Sequence, residues 1–301
     1  MAESSRLRFN RDFSAPYGVA EPLSPLVARV LAPNPGPFTF RGTGVHLVGA
    51  RGSVAVIDPG PDLPGHVEAL KRAIGARRLS HILITHTHRD HSPAAAALKA
   101  WSGAKTYAMA AAPQGSHADA RQAAVDEAHD HDFVPDEVVG DGQAVVGEGF
   151  TLTCVATPGH TAGHMAYALE QEGALFCGDH VMGWSTSVIA PPDGSMGAYM
   201  ASLEKLIGRR DRVLYPTHGA PVGAPHAFLA SLLAHRRMRE AQVLAAWREG
   251  ARDAGRIAAR LYPDVAPVLR AAAAVQVRAH LAHLAQQGLV DGNAVDGGTD
   301  A

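Results

Sequence analysis

Between Thr85 and Ser92 the chain reads Thr85-His86-Thr87-His88-Arg89-Asp90-His91-Ser92, which places four potential metal ligands within six residues. Three imidazoles and a carboxylate that close together are costly to scatter over an ordinary surface. In a turn after a strand they can face one side and hold one or two divalent ions. The residues just before them, Ser80-His81-Ile82-Leu83-Ile84-Thr85, form a short apolar run bounded by polar residues, the pattern of a buried strand. A ligand-rich loop at the end of a strand presents its side chains from a rigid support.

The rest of the chain supplies partners for that loop. Thr157-Pro158-Gly159-His160 offers His160, Cys177-Gly178-Asp179-His180 offers Asp179, and Tyr215-Pro216-Thr217-His218-Gly219 offers His218. Each follows an expected strand and has glycine beside it or one residue away, which lets the backbone turn sharply toward a common cleft. Seventeen histidines in 301 residues fit such a use.

Expected strands cover Val45–Val48 and Ser53–Ile57 as a hairpin, then 81–85, 105–108, 151–156, 165–169, 174–177 and 212–215. Helical spacing marks Leu63–Ile74, Ala94–Trp101 and Ala198–Ile207. Short strands mixed with helices predict an α/β fold of two sheets covered by helices on both sides. Residues 1–36 are rich in proline and polar groups and are expected to wrap the surface. From His235 the strand signals stop: helices are expected over His235–Arg248, Asp253–Leu261 and Pro267–Gln287, closed by a short strand at Gly288-Leu289-Val290. The expected organisation is therefore a catalytic domain over 1–225, a small helical domain over 226–291 and a frayed acidic tail over 292–301.

Composition narrows the compartment and the partners. No apolar run approaches the ~20 residues of a membrane span, and the first residues show no signal-peptide core. Two cysteines, Cys154 and Cys177, make no disulfide framework and suit a reducing cytoplasm. The net charge of −2 is uneven: residues 235–291 carry nine arginines against five acids, joined to an acidic body that would repel a polyanion.

In order and approximate spacing, His86-x-His88-x-Asp90-His91, His160, Asp179 and His218 resemble the seven-ligand pattern of the metallo-β-lactamase superfamily over roughly residues 38–225. The resemblance implies an αββα sandwich with a metal site at its rim. It assigns His86, His88 and His160 to one ion, Asp90, His91 and His218 to a second, and Asp179 to both. Imidazole and carboxylate ligands suit zinc, with manganese or iron as alternatives. Two ions ~3.5–4 Å apart would lower the pKa of a shared water to near neutral and polarise a scissile carbonyl or phosphoryl oxygen. Asp90 is a candidate to orient the attacking water, and His180, next to Asp179, to protonate the leaving group.

Departures from relatives restrict the chemistry. Lactamases of this family place Cys where this chain has Asp179, and oxygen-reducing di-iron members place Glu where it has His88, which argues against antibiotic hydrolysis and redox chemistry. Asp58 of Ile57-Asp58-Pro59-Gly60 matches a position that supports the ligand loop, and His164 is a second candidate for such support. Trp184 and Ser185, after Asp179, could line the substrate pocket, and Arg89 could meet a substrate anion. His66, His81, His117, His129 and His131 are expected to be solvated or satisfied within the fold.

The C-terminal segment, with Asp179-His180-Val181-Met182-Gly183-Trp184 and Pro191-Pro192-Asp193-Gly194, further resembles the β-lactamase-like protein 2 branch. That branch ends in a winged-helix-like domain, and its animal members cut single-stranded RNA. Three readings follow: hydrolysis of a small ester, thioester or lactone; endoribonuclease or phosphodiesterase action on single-stranded RNA; and metal binding without hydrolysis. The first is favoured. The helical domain would then cover the site or form a homodimer interface.

Overall fold

The computed structural model describes residues 7–110 and 128–291, so His117 and the expected tail 292–301 lie outside the described residues. A seven-stranded sheet takes the strands in sequence order: β1 (Ala20–Pro22), β2 (Val27–Leu31), β3 (Gly44–Val48), β4 (Ser53–Ile57), β5 (Arg78–Leu83), β6 (Lys105–Ala108) and β7 (Glu137–Val138). The first three pairings are antiparallel, and those from β4 to β7 are parallel. The second sheet has the order β12 (Val213–Pro216), β11 (Ala174–Gly178), β10 (Met165–Leu169), β9 (Phe150–Ala156) and β8 (Ala144–Gly147). Only its β11–β12 pair is parallel.

Alternation along the strands builds the layers, because successive side chains face opposite sides of a sheet. In β4, Ala55 and Ile57 face the other sheet and meet Phe150, Leu152, Tyr167 and Phe176. Val54 and Val56 face the other way, onto Val67, Leu70 and Ile74 of α1 (Pro64–Ile74) and Leu98 of α2 (Ala94–Ser102). In β10 and β11, Ala166, Ala168, Leu175 and Cys177 pack against Tyr199, Leu203 and Leu206 of α3 (Met196–Ile207) and Leu229 and Leu232 of α4 (Pro225–Arg248). The result is the expected four-layer arrangement. Cys154 lies between the sheets and Cys177 on the helical side, so the two buried thiols face different cores.

The last helices, α5 (Ala254–Leu261) and α6 (Arg270–Gln286), close a separate core with Val243, Ala246 and Trp247 from the end of α4. Helix α4 therefore serves two cores: Leu229, Leu232 and Leu233 belong to the sandwich, as does Ala279 of α6.

Three expectations need correction. Residues 1–36 do more than wrap the surface: Val27–Leu31 is a nearly fully buried strand, its single charge Arg29 paired with Glu21 at 2.6 Å. Helix α4 begins ten residues before His235, and Gly288-Leu289-Val290 forms turns and bends in place of a closing strand. Among the described residues no helix is long and apolar enough to cross a membrane.

Candidate metal centre

The ligand loop follows β5 directly, and its backbone is tied down on both sides. His91 N–H donates to His88 O, Arg89 N–H to Ala128 O and Asp130 N–H to Thr87 O. Asp58, at the end of β4, adopts a left-handed φ of +50°, and the strain is answered by its carboxylate. One oxygen accepts from Thr85 N–H at 2.7 Å. The other accepts from the hydroxyls of Thr85 at 2.7 Å and Thr217 at 3.1 Å and faces His91 Nδ1 at 2.9 Å.

Such contacts indicate which ring nitrogen is bare on four of the candidate histidines. Facing a carboxylate, His91 Nδ1 carries the proton, so Nε2 offers its lone pair. Thr85 gives its hydroxyl proton to Asp58, and its oxygen can then accept from His86 Nδ1 at 3.0 Å, leaving His86 Nε2 bare. His218 Nδ1 donates to Gly42 O at 3.1 Å, and His160 Nδ1 to Val188 O at 2.6 Å. Sequence reasoning missed Thr85 and Thr217, whose hydroxyls look like ordinary strand-end polarity in the sequence.

The bare nitrogens converge. His86 Nε2 lies 2.8 Å and His160 Nε2 3.2 Å from His88 Nδ1. His218 Nε2 is 3.0 Å from Asp90 Oδ2 and 3.4 Å from Asp179 Oδ1, and His91 Nε2 is 3.4 and 3.7 Å from the same oxygens. The donor atoms of three triplets, His86/His88/His160, His86/His91/Asp179 and Asp90/His91/His218, each fall within 4.8 Å of one another. All seven sequence candidates are thus brought together.

Two glycines allow this closeness. A Cβ on Gly178 (φ +51°) would stand 2.6 Å from His164 Nε2 and 2.7 Å from Thr85 Oγ1. One on Gly159 (φ +142°) would stand 2.3 Å from the Tyr199 backbone.

The donor set fits divalent cations. His91 Nε2 and Asp179 Oδ1 are buried without a hydrogen-bond partner, and the acids around His91 call for positive charge there, which a metal ion would supply in place of a second proton on the ring. Electrostatics agree. Burial opposes a proton on His91, but Asp90, Asp179 and Asp58 outweigh it and raise its pKa well above the usual value. His86 and His88 are held well below theirs, first by burial and then by neighbouring imidazoles. Burial also works against the Asp90 and Asp179 carboxylates, and the facing histidines outweigh it and lower both.

The remaining candidates lie around this set. His164 stacks on His86 at 5.2 Å, with Nδ1 2.8 Å from Thr157 Oγ1. His180 is fully buried with its ring against Tyr199 (4.5 Å) and His164 (5.8 Å), outside the three donor triplets. Burial, with His160 and Arg236 nearby, lowers its pKa to about 3. Trp184 stacks on Phe40 at 4.8 Å, while Ser185 bonds only to the carbonyl of Thr186. Arg89 is exposed, its Nε given to His129 O at 3.0 Å. Of the histidines expected to be solvated or satisfied, His66 is buried against Pro59 O, and His129 is buried with its ring 4.6 Å from that of His88.

The model of the metallo-beta-lactamase superfamily matches residues 39–218, and that of the beta-lactamase associated winged helix domain matches residues 254–296. An atrochrysone carboxyl ACP thioesterase from Paecilomyces divaricatus is 32% identical over 84% of this chain and 74% of its own length. A lactamase-like protein from Neosartorya fischeri is 35% identical over 74% of this chain, which spans only 62% of that relative. Among solved structures, a beta-lactamase domain protein from Burkholderia ambifaria superposes with a TM-score of 0.77 at 19% identity, covering 96% of this chain and 94% of its own. A metallo-beta-lactamase family protein from Thermus thermophilus gives 0.71 at 23% identity, covering 89% and 95%.

Proposed function

The chain belongs to the metallo-beta-lactamase superfamily and is a hydrolase, and from that premise we propose that it is a two-zinc enzyme cleaving thioesters. The observation that carries the reading is the convergence of bare imidazole nitrogens and two carboxylates in one buried cup. His86, His88 and His160 would hold one ion, Asp90, His91 and His218 the other, and Asp179 would serve both. A set of nitrogen and oxygen donors without sulfur suits zinc, with manganese and iron as the alternatives. When bound, such a pair supplies activated water near neutral pH and polarises the scissile carbonyl.

The chain's own groups do the rest. Asp58 holds His91 directly and His86 through Thr85, so one carboxylate sets ligands of both ions. Asp90, beside His91 and His218, is placed to orient the attacking water by accepting a hydrogen bond from it, the water's protons passing to solvent. Attack on the acyl carbon breaks the C–S bond, giving a carboxylate and a thiolate. A thiolate, with a conjugate acid near pKa ~8.5, leaves without a strong general acid. That suits a centre whose His180 faces Tyr199 and His164, and it favours a thioester over an ester or a lactone. The relatives named ACP thioesterases support the same class, an ACP-linked acyl group included.

Single-stranded RNA is less well supported. The C-terminal arginines are largely engaged: Arg237 with Glu204, Arg260 with Glu249, Arg239 over Tyr262 and Arg252 over Trp247. Free, buried Cys154 and Cys177 are in keeping with a reducing cytoplasm.

The test is release of free thiol from a panel of acyl thioesters by the zinc-loaded protein, with lactones and labelled single-stranded RNA in parallel. Thioester turnover is expected, falling roughly a thousandfold in Asp179→Ala and lost on chelation. RNA cleavage that vanishes in Asp179→Ala, with no thiol release, would reverse the substrate assignment.

A further inference from the structure

His160 takes its support from a loop between Asp179 and α3. Its Nδ1 donates to Val188 O at 2.6 Å. The carbonyls on either side of Val188 face elsewhere. Ser187 O accepts from Arg236 Nη2 at 2.5 Å, and Ile189 O accepts from Gln276 Nε2 at 3.2 Å. Arg236 lies on α4 and Gln276 on α6, and the two are joined by a 2.9 Å bond from Arg236 Nη1 to Gln276 Oε1. Three consecutive carbonyls thus alternate: the outer two are gripped by the C-terminal helices, and the middle one is presented to a metal-site histidine.

Arg236 is 3% exposed, yet among the described residues no carboxylate is paired with it. A buried guanidinium is costly unless its donors are met. Here the two terminal nitrogens go to a backbone carbonyl and an amide, while Nε has no partner among the described residues and the Tyr199 ring lies 5.0 Å beneath the guanidinium. Tyr199 in turn donates its hydroxyl to His180 O at 2.9 Å, as does Ser187 at 3.0 Å. Arg237, the next residue, spends its charge on Glu204 at the surface. A solvated basic helix would not bury one arginine of the pair against the loop that orients a ligand.

We infer that Arg236 and Gln276 are positioning residues for the metal centre, clamping Ser187 and Ile189 so that the Val188 carbonyl holds His160 with its Nε2 bare. The C-terminal helical unit is then a structural part of one half of the centre. This inference rests on the two-metal reading above.

Stepwise metal uptake by the full-length protein tests it, read with a competing chelator for zinc and by the absorption of cobalt(II). Gln276→Glu keeps an acceptor for Arg236 but removes the donor to Ile189, and Arg236→Lys removes the fork while keeping the charge. In each, one of the two binding steps should weaken about tenfold to a hundredfold, the range for loss of a ligand's orienting partner. The other step should hold. For Gln276→Glu the loss should appear despite a carboxylate that would attract cations. Arg237→Ala should change neither step.

Equal weakening of both steps would mean general loosening of the fold and would overturn the inference. So would two unchanged steps in both variants. Wild-type protein that takes up fewer than two metals would remove the reading underneath and this inference with it. Two metals bound without thioester turnover would sink only the substrate assignment, and the clamp would still be judged by the binding steps.

Discussion

The two halves of the proposed metal centre are built in different ways. On the Asp90, His91 and His218 side, His91 is held at the strand ends, by Asp58 after β4 with Thr85 after β5 and Thr217 after β12, and His218 by the carbonyl of Gly42 just before β3, all within the sandwich. On the His160 side, the orienting group is a loop carbonyl whose neighbours are held by helices lying 49 and 87 positions further along the chain. One half is a property of the sandwich alone; the other shares Asp58 through His86 and depends on the C-terminal helices for His160. The contrast teaches that a complete ligand set in a sequence says little about what keeps each ligand in place.

The largest separation of the halves should come from Asp58→Asn. Asparagine tolerates the left-handed φ of +50°, so the backbone is spared. Its amide, though, cannot accept from Thr85, Thr217 and His91 together as the carboxylate oxygen does. Because Asp58 orients His91 directly and His86 through Thr85, both metal-binding steps should weaken, each by about tenfold to a hundredfold. Gln276→Glu should weaken only one. If Asp58→Asn spares one step as well, the two supports are not different in kind and the comparison collapses.

A smaller effect is expected from Gly178→Ala, which acts where β11 hands over to Asp179. The added methyl would meet His164 Nε2 and Thr85 Oγ1 at 2.6 and 2.7 Å at a φ of +51°. It should lower the unfolding free energy by roughly 1–3 kcal/mol, measured by denaturant titration in chelator. Through Thr85 it should disturb the Asp58 side more than the His160 side. A variant as stable as wild type would mean that Thr85 yields freely, and the strand-end support is then softer than its hydrogen bonds suggest.

What was legible in the sequence follows the same division. The four layers could be read because β-strand alternation is a local pattern, and the seven candidate ligands because the His-x-His-x-Asp-His spacing with His160, Asp179 and His218 resembles a known family pattern. Asp58 could be singled out because it ends a strand beside Pro59 and Gly60. Arg236 and Gln276 could not, since nothing local distinguishes Arg236 from Arg237, and their partners are main-chain atoms that carry no residue code. The strand Val27–Leu31 was hidden by the proline-rich composition around it and by Arg29, whose charge is met by Glu21 on the neighbouring strand. The place of His180 could not be read for a related reason: adjacency to Asp179 in sequence does not fix where a side chain on a sharp turn points, and the ring lies against Tyr199 and His164.

The smallest prediction supplies the control that the others need, because pH changes metal affinity and fold stability together. His46 lies away from both halves, in β3 between the sheets, with rings of Phe176 and Tyr215 at 5.1 and 5.7 Å. Burial, helped by Arg29, lowers its pKa from 6.5 to about 3. The unfolded chain therefore binds a proton between those values that the folded chain refuses, and stability must rise with pH across that window. The contribution of neutral His46 is fully present above about pH 6.5 and is lost as pH falls toward 3, at about 1.4 kcal/mol per unit for a single group. In chelator, His46→Leu should reduce the slope of unfolding free energy between pH 6 and 4 by about one proton's worth and leave both metal-binding steps at pH 7.5 unchanged. An unchanged slope would place that pH dependence in the ligand histidines themselves. The two halves would then have to be compared at a pH where neither set of imidazoles titrates.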